Sequence, residues 1–487
     1  MEYSVPQHID SNKIFLVNFS ELEGRLDPHF YKSDFSVFHN QLKNQKFVRL
    51  GSVIKKITNG LDCRKYTKTG IVYLKVANVK KGELSLDDVQ YVDMSAEGIT
   101  KSIQLTKGNL LLTRKGTFGN TYCIKQNLDY IISSEIFYIT INQNLINGDF
   151  LAIVLNSRIG QIQFDRNKIG AIMGSLSQNV VKDILIPIPS KIVQKQIIDK
   201  YNIALKLHRS KIALSKQKLA SIDTYLLGVL GITLPKNDFQ ELNDRLFTVR
   251  FKDVVCNRFD PKSYCKKKNN LLDAVQKSSF DKYPLMTFIE NECSGEWGED
   301  VEETKLDMSQ YTKCLVLRST EFDNRYNLRL DNSRVKYRYI LNSKLKKMDV
   351  KPFDLIIEKS GGSEDQPVGR IAILTEDVLK NNNIAYSNFL QKISVVGINP
   401  YYLYYYLKVM HNIGMTDFMQ SQTNGIRNLI MSEYKKQIII TPVEEKQTEI
   451  VAHISAIRAE AKALEIQAEE VLTKAREEVE KMIMNKA

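Results

Sequence analysis

Polar loops carry the side chains of this sequence best suited to chemistry, and the chemistry they offer is contact with bases and phosphates. Arginine donates as a planar fork that fits a guanine edge, lysine as a point charge, and Asn or Gln matches the donor-acceptor pair of adenine. In the first half such residues cluster at Arg64-Lys65-Tyr66, Arg114-Lys115, Arg166-Asn167-Lys168 and the run from Ser175 through Gln178 to Asn179. In the second half they are Arg318, Arg325, Lys359-Ser360, Gln420-Ser421-Gln422 and the run from Asn424 through Arg427 to Asn428. Each residue alone could equally be solvated loop, so these candidates define reading faces rather than individual contacts.

Bond-making chemistry is harder to find. The sequence has no G-x-x-x-x-G-K-[ST] loop, no H-E-x-x-H pair, no nucleophile elbow and no kinase set. Gly116-Thr117-Phe118-Gly119 and Gly361-Gly362-Ser363 read as turns and lack a dinucleotide fingerprint. Asp354 with Glu358-Lys359 invites a metal-nuclease reading, but no residue separates Glu from Lys, and the first half carries Asn109 and Thr113 at the matching places. Asn399-Pro400-Tyr401-Tyr402 approaches the adenine-holding Asn-Pro-Pro-Tyr of amino-methyltransferases, but Tyr401 replaces a proline and no glycine-rich cofactor strand precedes it. It reads as the start of an aromatic helix. Six scattered cysteines (Cys63, Cys123, Cys256, Cys265, Cys293, Cys314) form no C-x-x-C pair, so buried thiols are expected rather than zinc.

Composition sets the frame. At 487 residues, 43% hydrophobic and 26% charged, the chain has room for two or three domains. It shows neither an export signal nor an apolar run near the roughly 20 residues of a membrane span, so no membrane role and a cytoplasmic location are expected. The 69 Lys+Arg against 56 Asp+Glu give +13, which suits a polyanionic partner through counterion release but does not alone identify one.

The elements that must position the loops are written twice. Arg25-Leu26-Asp27-Pro28 returns as Arg258-Phe259-Asp260-Pro261, and the strand-to-glycine segment Lys107 to Gly119 returns as Lys351 to Gly362. Ile131 to Phe137 is echoed by Ala385 to Leu390. Each half then closes with a glycine-bearing polar loop, a short apolar strand, a proline and a long helix. Five landmarks in the same order imply pseudo-two-fold symmetry, with mixed α+β globules formed from short strands between glycine turns.

In the first long helix Ile198, Tyr201, Leu205, His208, Ile212, Ser215, Leu219, Ile222, Leu226 and Val229 follow three- and four-residue steps. In the second, Ile450, Ile457, Leu464 and Val471 form one line, and Ile454, Ala461, Ala468 and Ala475 the other. Small residues on that line predict a close antiparallel partner, most simply the other helix of the chain. The expected layout is 1–190 first globule with N-terminal segment 1–24, 191–232 central helix, 233–257 linker, 258–442 second globule and 443–487 C-terminal helix.

With its duplicated R-[LF]-D-P opening, strand-to-glycine segment and proline-to-long-helix closure, the chain resembles the specificity subunit of type I restriction-modification enzymes over nearly its whole length from Arg25. The resemblance implies an α+β architecture of two pseudo-symmetric target-recognition domains separated by two long antiparallel coiled-coil helices. It further implies that each globule reads one half of a bipartite double-stranded DNA target. Two methyltransferase subunits would dock on the helices and methylate adenine, and restriction/translocase subunits would join to cut. S-adenosylmethionine, ATP and Mg would belong to those partners, with no cofactor, metal or catalytic residue on this chain. About 35 helical residues at ~1.5 Å each reach on the order of 50 Å, more than the ~34 Å of one DNA turn. Competing readings are a chain that itself methylates or cuts DNA, a helical scaffold without DNA contact, and another DNA-binding protein of a defence system.

Overall fold

The computed structural model describes the chain except residues 1–9, 11–12, 94, 96–103, 171–173, 236–245, 255–258, 301–306, 324–325, 327, 332–333, 364–365, 424 and 486–487, and except the side chains at 253, 262–263, 308, 422–423 and 485. It divides into two compact units, Met1–Ile212 with Ile466–Ala487, and Ala213–Glu465. The charged turn residues Glu364 and Asp365 and the cysteine Cys256 lie outside the described residues.

In the first unit, one antiparallel sheet has the order Ile54–Asn59, Ile136–Ile141, Leu110–Thr113, Thr121–Cys123. The inner strand Leu110–Thr113 is an uninterrupted Leu-Leu-Leu-Thr run buried at every position, as a strand covered on both faces requires. A second sheet places Ile131–Ile132 parallel to Ile71–Leu74, followed by Gln90–Val92 and Tyr66–Thr67. Two helices follow, Gly148–Asn156 and Arg158–Asn167, divided at Ser157, whose hydroxyl accepts from Ile159 N and caps the second. Phe137, Phe150 and Phe164 fill a core that also takes Leu472, Val479 and Ile483 from the end of the C-terminal helix.

The second unit repeats this plan. Its antiparallel sheet has the order Ile289–Ser294, Leu390–Val395, Leu355–Glu358, Ile371–Ile373. In its second sheet Tyr311–Leu317 lies between Lys336–Leu341 and the parallel strand Ile384–Tyr386. The short pair Val48–Arg49 with Leu185–Ile186 in the first unit matches Asp281–Pro284 with Ile438–Thr441 in the second. Tyr402, Tyr404, Tyr405 and Tyr406 are all buried on helix Pro400–Asn412. Asn399 caps this helix, its side chain accepting from Tyr401 N and Tyr402 N, so the methyltransferase-like tetrapeptide is a helix start. The one tryptophan of the sequence, Trp297, belongs to this unit, with the Arg338 guanidinium 4.7 Å over its ring.

The R-x-D-P opening has a local cause. Asp27 accepts from Phe30 N at 3.2 Å and pairs with Arg25 at 2.8 Å, capping the turn Pro28–Tyr31 with proline in its first turn. The duplication also begins earlier than that opening: Phe15-Leu16-Val17-Asn18-Phe19 leads into the turn Phe19–Glu21, and Phe247-Thr248-Val249-Arg250-Phe251 into Phe251–Asp253. Part of the stretch expected as a linker over 233–257 therefore carries the start of the second copy.

The long helices are Lys191–Val229 and Glu444–Asn485. In the first unit Lys200 pairs with Glu478 at 2.5 Å and His208 with Glu469 at 3.2 Å. In the second Lys218 pairs with Glu460 at 2.5 Å and the Tyr225 ring stacks on His453 at 4.0 Å. Residue numbers rise on one helix as they fall on the other, so the pairing is antiparallel in each unit. Ile454, Ala461, Ala468 and Ala475 are buried, as are Ile222 and Leu226. Ile212 and Leu219 are half-buried. Near the start of the central helix, Ile197 and Ala204 are buried where the heptad reading favoured Ile198 and Leu205, which are only partly buried against the globule core. The physical reason is that this stretch packs on a globule as well as a helix, which widens its apolar stripe beyond a two-helix seam.

Candidate nucleic-acid interface

In each unit two of the polar loops meet at the end of the inner strand of the antiparallel sheet. In the first unit Arg114 and Lys115 follow Leu110–Thr113, and the loop containing Ser175 folds back on them. Lys115 and Ile169 bridge Ser175, and Leu176 N donates to the Arg114 carbonyl at 2.8 Å. Gln178 Nε2 donates to Asn59 Oδ1 at 3.0 Å. The Arg114 guanidinium lies 5.0 Å over the Phe137 ring, and its Nε is buried without a hydrogen-bond partner. Arg114, Lys115, Ser175 and Gln178 thus form one cluster.

The second unit builds the same place from other residues. Lys359 and Ser360 follow Leu355–Glu358, and Leu429 N donates to the Lys359 carbonyl at 2.8 Å, just as Leu176 does to Arg114. Here the returning loop forms a sheet of Ser360–Gly362, Ile426–Leu429 and Gln420–Thr423, with Gln422 opposite Arg427. Lys359 Nζ donates to Ser294 Oγ at 2.7 Å, the Ser294 hydroxyl donates to Gln391 Oε1 at 2.9 Å, and Ser360 Oγ donates to Asn428 Oδ1 at 2.5 Å. Burial pushes the Lys359 ammonium below its ordinary pKa. Gln420 faces inward instead: Nε2 donates to the Val368 and Thr416 carbonyls, and Oε1 is buried without a partner.

Several candidates serve the fold. Arg166 is buried, 3.7 Å over the Phe30 ring, with Glu23 at 3.5 Å and the Phe30 carbonyl at 3.3 Å, so it is removed from the reading face. Its charge is spent on holding the N-terminal segment to helix Arg158–Asn167. Arg318 binds the buried Glu321 at 2.6 Å and the Arg334 carbonyl at 2.5 Å, closing a turn. Lys168 pairs with Asp165 at 2.7 Å, and the exposed Arg64 with Asp62 at 3.2 Å beside exposed Lys65. Arg325, Asn424, Arg258 and the side chain of Gln422 lie outside the described residues.

Asn59, Ser294 and Gln391 were missed from sequence, whereas Asn428 lies in the run from Asn424 that the sequence singled out. A signal for the first two was present: each immediately precedes a glycine at the same landmark, Asn59-Gly60 and Ser294-Gly295. A Cβ at Gly60 would sit 2.1 Å from the Ile132 carbonyl oxygen, and one at Gly295 would sit 2.2 Å from those of Tyr386 and Ser387. Only glycine lets these strands pass so closely.

Neither near-miss carboxylate is available for metal chemistry. Asp354 is paired with Lys392 at 3.3 Å, and Glu358 takes two bonds of 2.8 Å from Arg370. Among the described residues no group of three His, Cys, Asp or Glu side chains could hold a metal ion, and no helix is long and apolar enough to cross a membrane. Cys63, Cys123, Cys265, Cys293 and Cys314 form no disulfide.

The model of the type I restriction modification DNA specificity domain matches the chain twice, over residues 42–224 and 312–474. No curated protein matches. Among solved structures the chain is similar to one from work on complex assembly and conformational transition of the type I R-M system, at 15% identity and TM-score 0.48, covering 90% of this chain and 96% of that one. It is also similar to the HsdS subunit from Thermoanaerobacter tengcongensis (14% identity, 91% and 97% covered, TM-score 0.35). A third is the type I restriction-modification S subunit from M. genitalium (13%, 89% and 98%, TM-score 0.37). With one match on each copy of its duplicated fold, the chain belongs to the type I restriction modification DNA specificity family.

Proposed function

We propose that each unit reads one half of a bipartite DNA sequence through the loops at the end of its inner strand, and that the paired long helices set the gap between the halves. The observation that carries this reading is the same strand order in both units with different polar groups at equivalent positions: Arg114 against Lys359, Lys115 against Ser360, Asn59 against Ser294. One scaffold with two sets of donors suits two unlike half-sites, so the target need not be a palindrome. Arg427 and Asn428 complete the second face, and Gln178 the first.

In this reading the chain makes and breaks no bonds. Two methyltransferase subunits dock on its helices and bring S-adenosylmethionine, restriction/translocase subunits bring ATP and Mg, and the assembly works in the cytoplasm. The buried, ion-paired state of Asp354 and Glu358 supports a non-catalytic chain, because neither carboxylate can release its partner cheaply.

Methylome sequencing of cells carrying the chain and its methyltransferase tests the proposal. Wild type is expected to yield one split adenine-methylated motif. Exchanging Lys359, Ser360 and Arg427 for the residues of a related chain should alter one half of that motif and leave the other intact. Change in both halves at once, or in neither, would defeat modular reading.

A further inference from the structure

Both copies tie the globule to its long helix with the same buried amide. In the first unit Gln194 Oε1 accepts from Asn147 N at 2.8 Å, while its Nε2 donates to the Pro189 carbonyl at 2.9 Å and to that of Leu145 at 3.3 Å. In the second, Gln447 Oε1 accepts from Asn399 N at 2.9 Å, and its Nε2 donates to the Pro442 carbonyl at 2.8 Å. Asn147 and Asn399 are the caps of the globule helices Gly148–Asn156 and Pro400–Asn412. Pro189 and Pro442 are the entries to the long helices, each five residues before its glutamine. Gln194 is 1% exposed and Gln447 4%.

The other polar ties between globule and long helix differ from copy to copy. The first uses Arg158 N to Glu480, Lys191 to the Gln143 carbonyl and Arg209 to Glu83; the second uses Arg458 to the Tyr405 hydroxyl and the Tyr326 carbonyl, and Asn412 and the Tyr326 hydroxyl to Asp223. Around these ties the contact is apolar packing, which resists separation but is not directional. The glutamine is directional at both ends: its amide is satisfied only when globule cap, proline entry and first helical turn hold one mutual orientation.

We propose that Gln194 and Gln447 are positioning residues that fix the angle of each globule on its helix, and thereby the length of DNA between the two half-sites. The inference rests on the reading proposed above. A tilt that carries a reading loop by about 3.4 Å shifts it by one base pair, so loss of the lock should spread the permitted gap.

The test is methylation in vitro by the full chain purified with its methyltransferase subunits, on duplexes that keep both half-sites and vary the gap by single base pairs. Wild type should accept one gap. Gln194→Met and Gln447→Met, made separately, should raise methylation at gaps one base pair shorter and longer by about tenfold relative to the original gap, with unchanged discrimination against altered half-sites. If a Met variant does not assemble, Gln447→Glu keeps the acceptor for Asn399 N–H and removes the donor to Pro442, and it should show the same spread. A uniform loss of rate with the gap still fixed, or relaxed half-site choice, overturns the positioning role. A wild-type complex indifferent to the gap would instead sink the bipartite reading beneath it.

Discussion

Where the first unit buries Asn109 with its Nδ2 donating to the Tyr138 hydroxyl at 3.1 Å, the second buries Asp354 against Lys392 at 3.3 Å. One turn of pleat further on, Thr113 Oγ1 accepts from Asn120 N at 2.9 Å, and its counterpart Glu358 accepts from Arg370 Nε and Nη2. Equivalent positions in one fold are thus neutral in one copy and ionic in the other. Lys392 and Asp354 are 0% and 3% exposed, so their attraction must offset the desolvation of two charges, helped by bonds from Ser394 Oγ and Lys351 N to Asp354. The fold therefore demands a satisfied polar pair beside the inner strand and not a charge. The carboxylates that looked like nuclease residues meet that demand.

The contrast can be broken from either side. Lys392→Met strands a buried carboxylate and should cost about 3 to 5 kcal/mol in the second unit, seen as an early transition in urea unfolding followed by circular dichroism. Installing the first unit's pair, Asp354→Asn with Lys392→Tyr, should recover part of that loss; no recovery would mean that the two environments are not equivalent. Asn109→Leu removes a neutral partner and should cost less, about 1 to 3 kcal/mol, in the first unit.

The finest comparison is in acid, where the units should behave alike. His39 in the first unit is pushed down to about 4 by burial and by nearby Arg166 and Lys43, with Glu23 opposing. His411 in the second is pushed down to about 4 by burial, Lys408 and Arg370. Both pKa values lie below the 6.5 of a free histidine, so between these limits the unfolded chain binds more protons and stability falls as pH drops from 6.5 toward 4. Unfolding midpoints at pH 7 and pH 4.5 should converge for His39→Asn or His411→Asn relative to wild type; an unchanged pH slope would remove the histidine from the account.

The repeat was legible because its landmarks are backbone necessities. Asp27 caps a turn, prolines open the long helices, and glycines stand where strands cross too closely for a Cβ. The reading face was legible only in part, because residue type does not disclose burial. Arg166 and Lys115 look alike in sequence, yet Arg166 meets Phe30 and Glu23, both more than 130 positions away, and disappears into the interior. Ile197 displaced Ile198 from the seam for a related reason: a heptad pattern assumes one partner, and this stretch has two. Gln194 and Gln447 carried a readable spacing from their prolines, but polar residues on a helix ordinarily face solvent, and their role rests on backbone groups that sequence does not name.

Trp297 gives the molecule a built-in optical asymmetry. Excitation at the red edge of aromatic absorption selects indole over phenol, so emission from this chain reports the second half alone, while the peptide ellipticity sums over both. Melting curves from the two signals will coincide if the halves come apart together and diverge if one outlives the other, with no label attached.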